Sequence, residues 1–396
     1  MFEKLGKRAL ILPLVFPFVM FIVFGLAVGP TLSANMKEVP FAVVTLDEGS
    51  SLPVSDVNVG DTLVEKLLDG ESLGSLGSDD EDADDSSNSA FGDTTIQWTV
   101  FDTEEELREA LANNEYYGGI IIPADFTSQQ MMSSTGLGGA PTITVLLNEA
   151  KNPSLAQQMG PTMRSAMLKA GISVDVEEVN DADLGGGSMA ANMGVQMIAM
   201  PMMIMTLIVS ILISLVYWPR EGEPTRKQRL LALVKQIIIG ALASALVAGL
   251  CLGIEVGIGG MTLPVDRLFP FLWLACGCMM AAVVGLADFA LPLGALVGVT
   301  TVFLGMCCAM LAGEMLPEFW QTWVYPWAPQ HYIGDAIRAI EYLGKGSFDT
   351  TMWYWGYLPA IGGVGALLAL AMPTHKKKRG AHGKAAASIP AVATEQ

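Results

Sequence analysis

Six stretches of the chain carry almost no charge over the roughly 20 residues that a helix needs to cross the hydrocarbon layer of a bilayer. They fall at about 9–29, 192–217, 230–254, 269–287, 290–312 and 353–372. Between the first two runs the periodicity changes. "VPFAVVTL" (39–46) is a β-branched run closed by the turn "DEGS", and "DTLVEKLLDG" (61–70) sets Leu63, Leu67 and Leu68 at helical spacing before a terminal Gly. "TIQWTVFD" (95–102) alternates like a strand and stops at "DTEEELREALANN", where Thr103 and Glu106 have the spacing of a capping box. "YYGGIIIP" reads as a short buried strand and "PTITVLLN" (141–148) as another. "SLAQQMGPTMRSAMLKAG" (154–171) reads as a helix with a break at Pro161. The pattern predicts a membrane α-helical bundle of six transmembrane helices, with an α/β domain of its own core inserted between helices 1 and 2.

Composition agrees with a membrane protein: 52% of residues are hydrophobic, 16% are charged and the mean hydropathy is +0.45. Basic residues then fix an orientation. Lys4, Lys7 and Arg8 precede the first run, Arg220, Arg226, Lys227 and Arg229 lie between the second and third, and Lys376 to Arg379 follow the last. Six spans put all three clusters on one side, which the positive-inside rule makes cytoplasmic, with both termini there. Residues 31–190 then lie outside the cell. This segment holds most of the acidic side chains behind the net charge of −18, which excludes a phosphate backbone as its partner, so no nucleic acid is expected.

The expected organisation is an N-terminal tail and first helix (1–30), an extracytoplasmic α/β domain (31–190) with a disordered acidic loop (70–93), five further helices (191–372) and a basic cytoplasmic tail (373–396). The first run is longer than the usual core of a signal peptide, so it is expected to remain as an anchor. "VNDADLGGGSMAANMG" (179–194) reads as a linker into the second span.

Motifs for catalysis are missing. The sequence holds no GxxxxGK[ST], HExxH, GxSxG or CxxC, so the chain is expected not to be an enzyme and to need no cofactor and no metal. "DDEDADD" lacks the spaced ligands and central Gly of an EF-hand. All five cysteines fall in apolar runs, so no disulfide framework supports the exported segment. Ionisable residues in or beside the spans are few: Glu255, Asp288 and Glu314. Asp288 is expected in a tight cytoplasmic turn within reach of water, which argues against proton-driven antiport. Gly249, Gly253 and Gly257, and Gly294 and Gly298, have the four-residue spacing that lets helices approach.

Residues 314–344 interrupt the apolar pattern with three prolines, several aromatics and charges. Trp320, Trp323, Tyr325 and Trp327 suit the headgroup level. Pro317 can open a short helix, and Pro326 and Pro329 can interrupt it. From about 330 to 343, Ile333, Ile337, Ile340 and Leu343 share a face. The expectation is a re-entrant or interfacial hairpin closing the external end of a pathway, with Leu316, Pro317, Pro329, His331, Asp335 and Arg338 as its candidate residues. His331 and Asp335 would share a helix face, and Arg338 would pair with Glu341 or Asp335. A metal or proton site there competes with a plain polar helix face.

The order of parts resembles the type-2 ABC exporter permeases, specifically the branch with a large external domain that includes the phage infection proteins. "FAVVTLDEGS" (41–50) resembles the first external strand and its turn. "FDTEEELREALANNEYYGGIIIPADFTSQQM" (101–131) is similar to the block ending in an Ile-Pro strand and a Phe-containing turn, here Ile122, Pro123 and Phe126. "MLPEFWQTWVYPWAPQHYIGDAIRAI" (315–340) resembles the pattern before the last span, through Leu316, Pro317, Pro329 and Arg338. The resemblance implies a homodimer or heterodimer of six-span permeases in membrane lipid, energised by a separate cytosolic ATP-binding subunit and exporting a lipid-like, polymer, drug or peptide substrate. It makes Arg220, Arg226, Lys227 and Arg229, in the loop 218–231, candidates for ATPase coupling. The competing reading is a non-transporting anchored surface protein whose external domain binds an envelope polymer, a phage or a secretion partner. An anchor, however, needs only one or two spans.

Overall fold

The computed structural model describes residues 39–51, 56–69, 96–185, 188–220, 224–311, 313–349 and 354–372. The first apolar run (9–29), the acidic stretch 70–93 and the basic tail 373–396 lie outside the described residues.

An α/β domain comes first. Its elements are β1 (Val39–Thr45), β2 (Ser50–Ser51), β3 (Asp56–Val57), α1 (Val59–Leu68), β4 (Ile96–Phe101), α2 (Glu104–Ala112), β5 (Gly118–Ile122), α3 (Phe126–Ser134), β6 (Thr142–Asn148), α4 (Pro153–Lys169) and β7 (Ser173–Val179). The five-stranded sheet has the order β4-β1-β5-β6-β7, parallel except where β6 runs against β5. Alternation along the strands feeds two layers. Phe41, Val43, Ile120, Ile122, Val145 and Leu147 meet α1 and α4 on one face, while Ala42, Val44, Ile121 and Leu146 meet Leu107 and Leu111 of α2 on the other. All of β5 is buried, as a central strand covered on both faces requires.

The helix starts follow from side-chain caps. Asn58, Thr103 and Asn152 accept from the backbone N–H of Asp61, Glu106 and Leu155 at 2.9, 3.3 and 3.0 Å. Helix α4 continues through Pro161 rather than breaking there, because Met159, Met163 and Met167 are buried against the sheet on both sides of the proline. Strand β7 and helix α3 are additional to the elements expected from periodicity.

The second part is helical: α5 (Ser188–Tyr217), α6 (Arg226–Gly257), α7 (Val265–Phe289), α8 (Leu291–Met310), α9 (Glu318–Trp323), α10 (Pro329–Tyr342) and α11 (Tyr354–Ala371). Four of these contain segments long and apolar enough to cross a membrane, Ile198–Tyr217, Arg226–Gly257, Val265–Phe289 and Leu291–Ala309, and Gly356–Ala371 is a shorter apolar helix. Helix α7 is the most enclosed and forms the centre. Helix α6 instead turns Leu230, Ile237, Leu242, Leu246 and Leu250 outward, an apolar exterior suited to lipid.

Helices α7 and α11 touch through their backbones. A Cβ added at Gly285 would collide with the carbonyl of Gly362, and one at Gly362 with the carbonyl of Ala281. The glycine repeat singled out in the sequence is different: Gly253 and Gly257 have nothing within reach of a Cβ, while Gly294 packs on Ala287 and Gly298 on Leu207 and Val283.

The α/β domain sits on one end of this bundle. Tyr117 donates its hydroxyl to Glu314 Oε2 at 2.8 Å, Met315 packs against the domain core, and the N–H of Thr262 donates to the carbonyl of Leu184 at 2.6 Å.

Candidate functional site

Helices α8 and α11 both pack on α7 and leave a fissure between them. Its cavity of about 140 Å³ is lined by Thr206 and Leu207 of α5, Met279, Ala282 and Val283 of α7, Val297, Gly298 and Thr301 of α8, and Tyr357, Leu358 and Ile361 of α11. Trp327 and Pro329 cover it at the end that carries the α/β domain. The lining is apolar apart from two threonines and the Trp and Tyr polar tips, so it fits an aliphatic or aromatic group and offers little to a charged one.

The cover is the hairpin formed by α9, the turn at 324–327 and α10. Pro329 stands in the first turn of α10, where its missing N–H costs nothing. Ile333, Ala336, Ile337 and Ile340 then bury one face of α10 in the bundle core. Gln330, fully buried, donates to the carbonyl of Thr301 at 2.7 Å and joins α10 to α8. Tyr357 donates to the carbonyl of Trp327 at 2.6 Å and joins the turn to α11.

On the half-exposed side of α10, His331 Nε2 lies 2.8 Å from Asp335 Oδ2 and Arg338 donates to Asp335 Oδ1 at 2.5 Å. Burial raises the Asp335 carboxyl, but the hydrogen bond from His331 and the charge of Arg338 outweigh it and hold the group below its ordinary range. The imidazole stacks on Tyr325 at 3.7 Å between centroids, with its Nδ1 3.2 Å from the Tyr325 carbonyl. Arg338 thus pairs with Asp335. Glu341 is separate: it is 8% exposed, its two carboxylate oxygens have no hydrogen-bond partner among the described residues, and burial pushes it up to about 8.

Leu316 is buried beside Cys307, Cys308, Val324 and Ala328, and Pro317 precedes the first residue of α9. The structure therefore brings Pro329 to the cleft and His331, Asp335 and Arg338 to one another, while Leu316 and Pro317 support the start of the hairpin.

At the opposite end of the bundle the four basic candidates separate into two kinds. Arg226 and Lys227 are exposed on the first turn of α6. Arg229 is 7% exposed and donates to the carbonyls of Ala369 and Met372 at 3.0 and 2.8 Å, capping the end of α11. Arg220 donates to Ser214 Oγ at 2.6 Å and to the carbonyl of Ala287 at 3.3 Å.

Asp288 belongs to the same network and corrects its expected place in a wet turn. It remains within α7, is 3% exposed, and its Oδ1 accepts from Ser214 Oγ at 2.7 Å and Gln236 Nε2 at 3.0 Å. A short α7–α8 connection keeps the carboxylate under α5 and α6 rather than in solvent. No periodicity signals Ser214, Gln236, Gln330 or the Tyr117–Glu314 contact, because each partner lies in a different element.

The fold and this site define a multi-pass membrane protein with a small α/β sheet domain, built around packed helices and an apolar cleft between them. A family model described as ABC-2 family transporter protein matches residues 7–371, and the chain belongs to that family. Its members are permease components of ABC transporters and usually work with a separate ATP-binding subunit. No curated protein matches the chain.

Proposed function

We propose that the chain is the membrane subunit of an ABC exporter of the phage infection protein-like branch, without catalysis of its own. The family match across residues 7–371 carries this reading. The cleft between α8 and α11 supports it by offering an apolar berth, covered by the hairpin, for part of a lipid-like, polymer, drug or peptide substrate. In this reading residues 9–29 supply a sixth span, the α/β domain is inserted after it and lies outside, both termini are cytoplasmic, and two permeases pair in membrane lipid.

The end of the bundle opposite the domain is then the cytoplasmic side, where Arg226 and Lys227 are free to meet a separate ATPase. Arg220 and Arg229 have another role: they tie the loop to α5, α7 and α11 and pass its displacement to the spans. Affinity purification of the full chain in mild detergent tests the assignment. A Walker-containing ATPase should co-purify and be lost from Arg226→Glu/Lys227→Glu. Recovery of the permease with no ATPase would overturn ATP coupling and favour the anchored surface protein.

A further inference from the structure

We propose that the cleft between α8 and α11 holds part of one acyl chain of a membrane lipid, which enters from the side between these two helices. This occupant rests on the reading of the cleft as a substrate berth and gives that berth a chemical class.

Hydrogen-bonding capacity decides the class. The Tyr357 hydroxyl donates to the carbonyl of Trp327 at 2.6 Å, the Trp327 indole N–H donates to the carbonyl of Trp323, and the Thr301 carbonyl accepts from Gln330. A ligand therefore meets two threonine hydroxyls, of Thr206 and Thr301, in a wall of aliphatic side chains. A peptide segment would bury an N–H and a C=O for each residue there, and a sugar unit several hydroxyls, with too few partners to satisfy them. A hydrocarbon chain brings no such groups.

The opening faces lipid. Val297 of α8 and Ile361 of α11 line the cleft yet are exposed, and beside them Leu293 and Leu296 on α8 and Val364 and Leu368 on α11 are exposed as well. A mouth framed by aliphatic side chains over the middle of these helices opens on acyl chains rather than on water. The other sides are walled. Trp327 and Pro329 cover the domain end, and Met279, Ala282 and Val283 of α7 stand buried at the back. Past Ile361, α11 closes onto α7: a Cβ on Gly362 would strike the carbonyl of Ala281 and one on Gly365 that of Gly285, leaving no room for a chain between those two helices.

Size and energetics agree. The volume of about 140 Å³ is close to that of an engineered apolar cavity that admits benzene, so roughly six carbons fit and the rest of the chain stays in the bilayer. Lipid tails are as apolar as the lining, so no hydrophobic gain draws the chain in. Occupancy is favoured because an unfilled apolar space forfeits the dispersion contacts of its walls.

Photolabelling tests this with full-length protein in nanodiscs that contain a phosphatidylcholine bearing a diazirine at the middle of one acyl chain. Adducts are expected on Met279 and Val283, buried behind the cleft, as well as on Leu242 and Leu246 of the outward face of α6. Ala282→Leu fills the cleft from its back wall and should lower the α7 adducts about tenfold while leaving those on α6 unchanged. Ile361→Ala widens the mouth and should raise the α7 adducts about twofold. Adducts on α6 with none on Met279 or Val283 would overturn the proposal, whether a second copy or anything else then fills the cleft. So would α7 labelling that neither variant changes, and if Ala282→Leu does not fold, Ile361→Ala decides. The measurement needs neither export nor an ATPase, so a negative result removes the acyl chain while the co-purification result stands, and the reverse holds equally.

Discussion

Asp47 in the α/β domain and Glu341 in the bundle are nearly equally buried, at 9% and 8% exposure, yet their surroundings are opposite. Asp47 accepts from the backbone N–H of Gly60 and of Thr127, each at 3.0 Å, and from the Thr127 hydroxyl at 2.5 Å, so one carboxylate ties the first turns of α1 and α3 to the end of β1. Glu341 meets no donor among the described residues and lies within electrostatic reach of Glu255. The first is a fixed part of the fold. The second is an acid whose neutral form suits its place, so its burial makes the bundle sensitive to pH.

The largest effect that would separate the two is pH dependence. Glu341 rises to about 8 in the folded chain from near 4.3 in an unfolded one. Its contribution to stability is therefore full below the unfolded value and is lost as pH rises through about 8. At about 1.4 kcal/mol per pH unit, the change over that window amounts to several kcal/mol. Thermal unfolding in detergent should show Tm falling across it, and Glu341→Gln should flatten the slope. An unchanged slope in that variant would remove the contrast.

Asp47→Ala comes next. It leaves three donors without an acceptor and should cost about 2–3 kcal/mol, read as a lower Tm and faster amide exchange at the starts of α1 and α3. Asp288→Ala should cost less, about 1–2 kcal/mol, because interhelical hydrogen bonds in a bilayer have replacement partners when the helices separate. Asp288→Asn, which keeps an acceptor for Ser214, should recover part of the loss in the same unfolding assay.

The smallest effect is expected where the charges are most visible. Arg108 meets Glu104 at 2.7 Å and Glu177 at 2.8 Å, with side chains 38%, 41% and 46% exposed. Water screens such pairs, so Arg108→Ala should cost about 0.5 kcal/mol in denaturant titration. That loss should shrink further as salt is added.

Much of the domain was legible because local signals agreed with the tertiary arrangement. Strands β1, β4 and β6 and helices α1, α2 and α4 follow from alternation, helical spacing and, for α2, the cap at Thr103, while the caps at Asn58 and Asn152 emerged only in the structure. Strand β7, "SVDVEEV", was not, since its alternation carries acidic residues on an edge strand and reads as loop. In the bundle the apolar runs marked the spans, and the prolines of 314–344 marked a helical hairpin. The same chemistry misplaced Asp288, because a carboxylate near the end of an apolar run reads as a turn in water unless its donors on other helices are known.

The sequence by itself determined which segments must leave water, since an apolar run of sufficient length has no better solvent than lipid, and which segments alternate to cover a sheet. It also determined that His331, Asp335 and Arg338 share one side of a helix, because spacing along a helix is local. Only the tertiary structure decided that Tyr325 offers its carbonyl to His331, that Arg229 caps the last helix while Arg226 and Lys227 face outward, and that α8 and α11 leave a cleft on α7. Those outcomes depend on which elements become neighbours, and contacts between residues far apart in the chain leave no period in the sequence to read.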